Sequence, residues 1–185
     1  MSQQKGDALD VSIPSLWPYT MTMAQPTQQP NIDTQRTEMK KLSFLIGEWS
    51  GEATVLRGPG LFVDLRQTEQ AEFKIDGLAL MIEGVGRMKS DGKPALQALG
   101  LITFAEASGT YRMRAFNDER WLETEVQLLD DGKSLSWGFA FGEISTKSVL
   151  RINERGEWTE HAELVIGSRP PQRVMELTVR RVPRQ

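Results

Sequence analysis

Two arginines and two glutamates are the most chemically suggestive side chains of this 185-residue chain. Arg112 and Arg114 stand two residues apart on one predicted strand. Glu123 and Glu125 stand two residues apart on the next, after a turn at residues 117–119, so the two pairs can meet across the strands. If these side chains face the interior, the guanidinium groups form a site for a carboxylate or phosphate head group. If they face outwards, they form a solvated ladder of charges.

A run of alternating large apolar residues supplies the other half of a candidate ligand site. Residues 135–141 place Leu135, Trp137 and Phe139 on one face of a strand, opposite small or polar residues. Such a face packs in a core or forms the wall of a pocket. The ligand-binding candidates are therefore Arg112, Arg114, Glu125, Trp137 and Phe139.

Groups for covalent catalysis or metal binding are scarce. The chain has no cysteine and one histidine, His161, which excludes disulfides, thiolate metal sites and a Cys–His nucleophile. Closely spaced carboxylates such as Glu160 and Glu163 are common on exposed strands. We therefore expect no catalytic set and no metal site, although an enzyme remains an open alternative.

The composition is that of an ordinary globular protein. Hydrophobic residues make up 39% and charged residues 25%, with a net charge of −3, so nothing indicates nucleic-acid binding. No apolar run approaches the roughly 20 residues that span a bilayer. We expect a cytoplasmic protein without a membrane partner, and a homodimer is one alternative for its assembly.

The elements that would position these residues follow from the change of period along the chain. Residues 1–36 are rich in proline and glutamine and predict a flexible tail. Residues 37–46 predict a short helix capped by Thr37 and ended by Gly47. Period-two alternation then continues to the end, with about ten strands joined by short Gly, Asp and Asn turns. This predicts one all-β domain over residues 37–185, an antiparallel up-and-down β-barrel.

The helix-to-strand junction resembles a known family signature. Gly47-Glu48-Trp49, with a helical turn before it and a meander after it, is similar to the Gly-x-Trp motif of lipocalin-like (calycin) barrels. The resemblance implies that Gly47 admits a sharp chain entry, that Trp49 plugs one barrel end, and that an arginine of the last strand stacks on the indole. Here Arg180 and Arg181 are both candidates for that stacking partner.

A longer stretch, residues 47–53, is similar to the Gly-x-Trp-x-Gly-x-Gly motif of nitrobindin-like haem proteins, but Ala53 replaces the third glycine. That family ligates iron with a histidine of the final strand, which this chain lacks there. His161 lies one strand earlier, on the polar face. The chain looks closer to bacterial calycin-like families of unknown function, and fatty-acid-binding barrels are a more distant comparison.

These patterns predict a barrel that binds a small hydrophobic or amphipathic molecule in its interior, with no cofactor required. Two alternatives stay open. One is a haem-binding protein, against which the missing histidine argues. The other is an isomerase or cyclase that uses the barrel as a template, with Tyr111 and the Arg112–Glu125 charges as its polar groups.

Overall fold

The computed structural model describes residues 29–117 and 120–183. Most of the predicted tail, residues 1–28, and two positions of the predicted turn, 118–119, lie outside the described residues. The helix α1 spans Ile32–Lys40 and continues as a 3-10 turn over Lys41–Leu45. The strands are β1 Gly47–Gly58, β2 Leu61–Lys74, β3 Ala79–Met88, β4 Pro94–Ala105, β5 Thr110–Asn117, β6 Arg120–Leu128, β7 Ser134–Trp137, β8 Ala140–Phe141, β9 Ile144–Ile152, β10 Trp158–Ile166 and β11 Gln172–Arg181.

The strands form a closed antiparallel barrel, which confirms the predicted fold class. Consecutive strands pair from β1 to β7, β7 and β8 both pair with β9, β9 pairs with β10 and β10 with β11, and the β11–β1 pairing completes the circle. β7 and β8 act as one interrupted strand of the wall, because the register from Trp137 opposite Ser148 continues unchanged to Ala140 opposite Ser145. The barrel therefore has ten strand positions, as the spacing of the turns predicts.

The helix begins five residues earlier than predicted, at Ile32 instead of Thr37. Asn31 provides the cap, since its Oδ1 accepts from the backbone N–H of Thr34 at 3.1 Å. Residues 32–36, which the composition assigned to the tail, are thus helical. The predicted division into tail and domain otherwise stays a prediction.

The helix covers one end of the barrel, and the other end carries exposed apolar side chains. Met39, Leu42 and Leu45 are fully buried beneath the helix and its 3-10 turn. Tyr111 ties the helix to β5, because its hydroxyl donates to the carbonyl of Glu38 at 2.9 Å. The opposite end has no helix among the described residues and carries exposed apolar side chains, namely Leu61, Phe62, Trp121, Phe139, Phe141, Ile144 and Ile166. We call this end the rim.

Within the described part of the chain, no helix has the length and apolar character needed to cross a bilayer.

Candidate functional site

The closed end is held by Trp49 and Arg181. The Trp49 indole is buried, and its Nε1 donates to the carbonyl of Leu45 at 2.8 Å. The Arg181 guanidinium lies 4.2 Å from the centre of the indole ring, which is a cation–π contact. Arg181 also donates to the carbonyl of Phe44 at 3.0 Å and to that of Ile46. One guanidinium therefore joins the last strand, the indole and the end of the 3-10 turn.

Gly47 provides the space for this arrangement. Its φ of +135° is a conformation that side-chain-bearing residues rarely adopt. A Cβ at this position would lie 2.5 Å from Nη1 of Arg181. The positive φ and the lack of room for a Cβ atom both require glycine at position 47.

Arg180, the alternative stacking partner, points to the other face of β11. It binds the carboxylate of Glu157 through Nε at 2.9 Å and Nη2 at 2.6 Å. Hydrogen bonds from Asn153, Arg155 and Arg180 lower the pKa of Glu157 to about 2. Arg180 thus fixes the β9–β10 turn to β11 and has no contact with the indole in this structure.

The charges nominated as a head-group site lie on the outer face of the barrel. Arg112 is 3.6 Å from the Glu125 carboxylate, and Arg114 is 3.3 Å from that of Glu123. All four side chains are exposed, while Tyr111 on the same strand points inwards. These charges thus form the solvated ladder that was one of the two alternatives, and neither an internal guanidinium site nor a convergent polar set is present among these side chains.

Trp137 and Phe139 lie on the inward parity of the interrupted strand. Trp137 is opposite Val126 of β6 and Ser148 of β9, and it is half-buried. Phe139 sits at the rim with 45% of its surface exposed. The wall loosens here, because the β6–β7 ladder covers only three residue pairs, from Val126 to Leu128. Nearer the rim, Thr124 Oγ1 donates to the carbonyl of Gly138 at 2.5 Å and bridges the two strands.

His161 lies on the outer face of β10. Its Nε2 is 3.1 Å from Oε1 of Glu163, and 46% of the side chain is exposed. A haem iron inside the barrel would be out of its reach. Among the described residues, no group of three or more His, Cys, Asp or Glu side chains is placed to hold a metal ion. The residues present therefore do not fit haem ligation from this histidine.

The sequence interpretation missed a polar cluster inside the barrel. Gln67 and Glu69 share the inward parity of β2 with buried Leu65 and Ala71, and they are 1% and 8% exposed. Gln67 Nε2 donates to Glu69 Oε1 at 2.7 Å. The Oε1 of Gln67 has no hydrogen-bond partner. An unpartnered acceptor in this position is costly, since a buried polar group normally keeps at least one partner.

Two glycines of β3 form the cradle for this pair. Gly86 lies opposite Gln67 and Gly84 opposite Glu69 in the β2–β3 register. A Cβ on Gly84 would approach Glu69 Oε2 to 2.7 Å, and one on Gly86 would approach Gln67 Oε1 to 2.5 Å. The two polar side chains therefore lie against the wall of β3.

Glu160 brings a second carboxyl to the interior, from β10. It stands opposite Leu150 and Leu177, which are both buried core residues. Burial raises the pKa of Glu160 to about 7, although the neighbouring Trp158 indole partly lowers it. Trp158 Nε1 itself has no partner of normal hydrogen-bond geometry.

The interior cluster is acidic and has no compensating cation. Burial raises the pKa of Glu69 to about 8; the hydrogen bond from Gln67 opposes this, and the charge of Glu160 adds to it. Neither carboxyl forms a salt bridge with a lysine, arginine or histidine in the described part of the chain. Both groups can therefore hold a proton near neutral pH and can act as donor or acceptor. We call Gln67, Glu69 and Glu160 the lumen cluster.

The outer surface also has concave regions. In one of them the charged side chains already form ion pairs with each other, and another is small. An open cleft of about 810 Å³ lies beside the helix, where Lys41 binds Glu38 at 2.7 Å and Arg151 approaches Asp131 at 3.7 Å. A second, of about 350 Å³, borders residues 94–97. Neither contains a member of the lumen cluster.

Comparisons with known proteins identify the fold and nothing finer. No protein-family model matches the chain, and no curated protein matches it. Rv2717c from M. tuberculosis has a similar structure, with a TM-score of 0.62 and 16% identity over 78% of this chain and 97% of that protein. The S-type phycobiliprotein lyase CpeS from Guillardia theta has a TM-score of 0.56 and 6% identity over 84% of this chain and 100% of that protein. At identities this low, the structural likeness shows the fold alone, a calycin-like barrel. The nitrobindin-like and fatty-acid-binding resemblances stay predictions.

Proposed function

We propose that this protein binds one small amphipathic molecule inside the barrel. The polar part of the ligand would lie at the lumen cluster, and its apolar part would extend along Trp137 towards the rim. The observation that supports this most directly is the unpartnered Oε1 of Gln67, buried beside Glu69 inside the barrel. A ligand that donates a hydrogen bond there would satisfy an acceptor that the protein leaves open.

The shape of the barrel supports the same proposal. The helix and the Trp49–Arg181 contact seal one end, so a molecule would enter from the rim. Several inward-facing residues between the cluster and the rim remain partly accessible, namely Leu122, Thr124, Trp137, Ser148 and Leu164. Ligand sites of this kind combine apolar walls with a few convergent polar groups. The likeness to a phycobiliprotein lyase is compatible with this use of the fold, and the ligand class rests on the interior residues.

A matched pair of tryptophan variants tests the proposal. The neutral probe N-phenyl-1-naphthylamine reports apolar binding by its fluorescence. We expect one site per chain, and Trp137→Ala should weaken binding by about tenfold because it removes an aromatic wall. Trp121→Ala is the control, since Trp121 is 73% exposed and packs on the outer face against Phe116. Equal affinities of the two folded variants, or no saturable binding by the wild type, would contradict the proposal.

The expected cytoplasmic location and the alternative of a homodimer are further proposals. The exposed apolar rim would suit either ligand entry or contact with a second copy. Sedimentation of the full chain with and without probe separates these uses, because a rim buried in a dimer would be unavailable to the probe.

A further inference from the structure

The lumen cluster offers hydrogen-bond acceptors and lacks a positive charge to pair with them. Gln67 Oε1 and the carboxyls of Glu69 and Glu160 are all on inward-facing positions, on strands β2 and β10. The arginines of β5 and the last arginine of β11 lie elsewhere. Arg112 and Arg114 are outside, and Arg181 is held at the closed end by the indole and two carbonyls.

From this geometry we propose that the ligand of the barrel carries a basic nitrogen, an ammonium or a similar N–H-rich cation, on an apolar body. The proposal rests on the function proposed above and specifies the ligand class. The nitrogen would lie between Glu69 and Glu160 and donate to Gln67 Oε1. An apolar chain attached to it would follow the accessible side of the interior to Trp137.

Charge complementarity decides between the possible head groups. A cation placed between the two inward-facing carboxyls favours their ionised forms and forms charge-assisted hydrogen bonds, which are the strongest type available here. A carboxylate or phosphate would add a further negative charge to an interior that has no free cation at the cluster, at a high desolvation cost. An alcohol would form neutral hydrogen bonds alone. The raised pKa values of Glu69 and Glu160 agree with two acids that lack a partner.

The glycine cradle argues that the cluster is a built feature. Gly84 and Gly86 leave room for the Glu69 and Gln67 side chains to lie flat against β3. With any larger residue there, the polar groups would have to move towards the middle of the barrel. The present arrangement holds the acceptors at the wall of β3.

Three ligands with one apolar body and different head groups test the proposal: decylamine, decan-1-ol and decanoate. Each is titrated against the full-length protein loaded with N-phenyl-1-naphthylamine at about pH 7.5, where an alkylamine, like a lysine side chain, is protonated. We expect decylamine to bind at least about tenfold more tightly than decan-1-ol, as a charge-assisted hydrogen bond would give, and decanoate to bind most weakly.

Variants assign the preference to the cluster. Glu69→Gln and Glu160→Gln keep side-chain size and remove the charge, so each should reduce the preference for decylamine over decan-1-ol by about tenfold. Glu123→Gln on the outer face is the matched control and should leave the preference unchanged. Two separate Gln variants keep the test decisive if one of them fails to fold.

The outcomes separate this proposal from the one on which it rests. If decan-1-ol or decanoate binds as tightly as decylamine, or if both Gln variants keep the wild-type preference, the basic-nitrogen proposal is wrong and lumen binding stands. If neither the probe nor any of the three decyl compounds binds saturably, both proposals are wrong.

Discussion

Replacing Glu69 by glutamine should change how the stability of the protein depends on pH. The carboxyl of Glu69 has a pKa of 4.5 as a free side chain and about 8 in the folded protein, chiefly because it is buried. Between these values the folded state holds a proton that the unfolded state has released. The free energy of unfolding must therefore fall as pH rises through this window, and it is highest below pH 4.5 with respect to this group.

The size of the effect follows from the shift. A difference of about 3.5 pKa units at about 1.4 kcal/mol per unit gives a ceiling near 5 kcal/mol, of which about 4 kcal/mol falls between pH 5 and pH 9. The corresponding loss from Glu160, whose pKa rises to about 7, cannot simply be added. The charge of Glu160 is already one of the causes of the Glu69 shift, so the two carboxyls titrate as a coupled pair. Water entering the barrel would reduce the effect further, and about 2 to 4 kcal/mol is the expected range.

Urea unfolding followed by tryptophan fluorescence at about pH 5, 7 and 9 measures this dependence. The wild type should lose stability towards pH 9, whereas Glu69→Gln should show a much flatter profile and exceed the wild type at the alkaline end. Glu123→Gln is the control. Its carboxyl is exposed on the outer face beside Arg114, so its profile should run parallel to the wild type.

The informative quantity is the wild-type minus Glu69→Gln difference in the free energy of unfolding, because the ionisations of groups that are not coupled to Glu69 cancel in it. A difference that stays constant within about 0.5 kcal/mol from pH 5 to pH 9 would refute the reasoning, since it would mean that Glu69 titrates alike in both states. An increase of wild-type stability with pH relative to the variant would reverse the sign and refute it outright.

Two further predictions concern the closed end and the glycines. Arg181→Ala should lower the free energy of unfolding by about 2 to 3 kcal/mol, because it removes the cation–π contact with Trp49 and two hydrogen bonds to carbonyls. Arg180→Ala is its control in urea unfolding, and an equal loss would contradict the assigned roles. Gly51→Ala should lower the free energy of unfolding by about 3 kcal/mol, because its Cβ would lie 2.2 Å from a backbone carbonyl of β11. Gly84→Ala should lower it by about 1 kcal/mol, because the new Cβ would meet the carboxyl group of Glu69, which can move. The same unfolding measurement checks this order, and the reverse order would show that the β1–β11 contact yields more easily than the cradle.

The fold could be predicted because its signals are local. Turn residues, together with the change from helical to period-two spacing at Gly47, are enough to predict a closed antiparallel meander. The choice between Arg180 and Arg181 could not be made in that way, because it depends on register. In the structure Arg181 stands directly opposite Trp49 across β1 and β11, and Arg180 has the opposite parity.

The interruption of the strand at residues 138–139 also could not be predicted from the local sequence pattern. The run from Leu135 to Phe141 alternates without a break, so it predicts one strand. In the structure the β9 backbone comes so close that a Cβ on Gly138 would lie 2.1 Å from the carbonyl of Thr146. The ladder to β6 ends at Trp137. Only the packing of neighbouring strands determines this.

The candidate site illustrates a different kind of limit. The outward direction of Arg112 and Arg114 was available from the sequence, since Tyr111 and Met113 alternate with them as the apolar face. The charge of these arginines made them candidates for ligand binding, although a charged side chain on an alternating strand normally faces solvent. Glutamates within apolar parities, such as Glu69, carried the more useful signal because burial makes them exceptional.

The lumen cluster is the feature least explained by folding alone. On the same face of β2, Leu65 and Ala71 show that the barrel accepts apolar side chains, which would avoid both the unpartnered amide oxygen of Gln67 and the buried acid Glu69. An unsatisfied buried polar group costs about 1 to 3 kcal/mol, and an ionised buried carboxyl costs more. Against a typical total stability of about 5 to 15 kcal/mol, that is a large cost for a structural role. A ligand that supplied the missing donor and positive charge would offset it, which supports the binding role proposed for Gln67, Glu69 and Glu160.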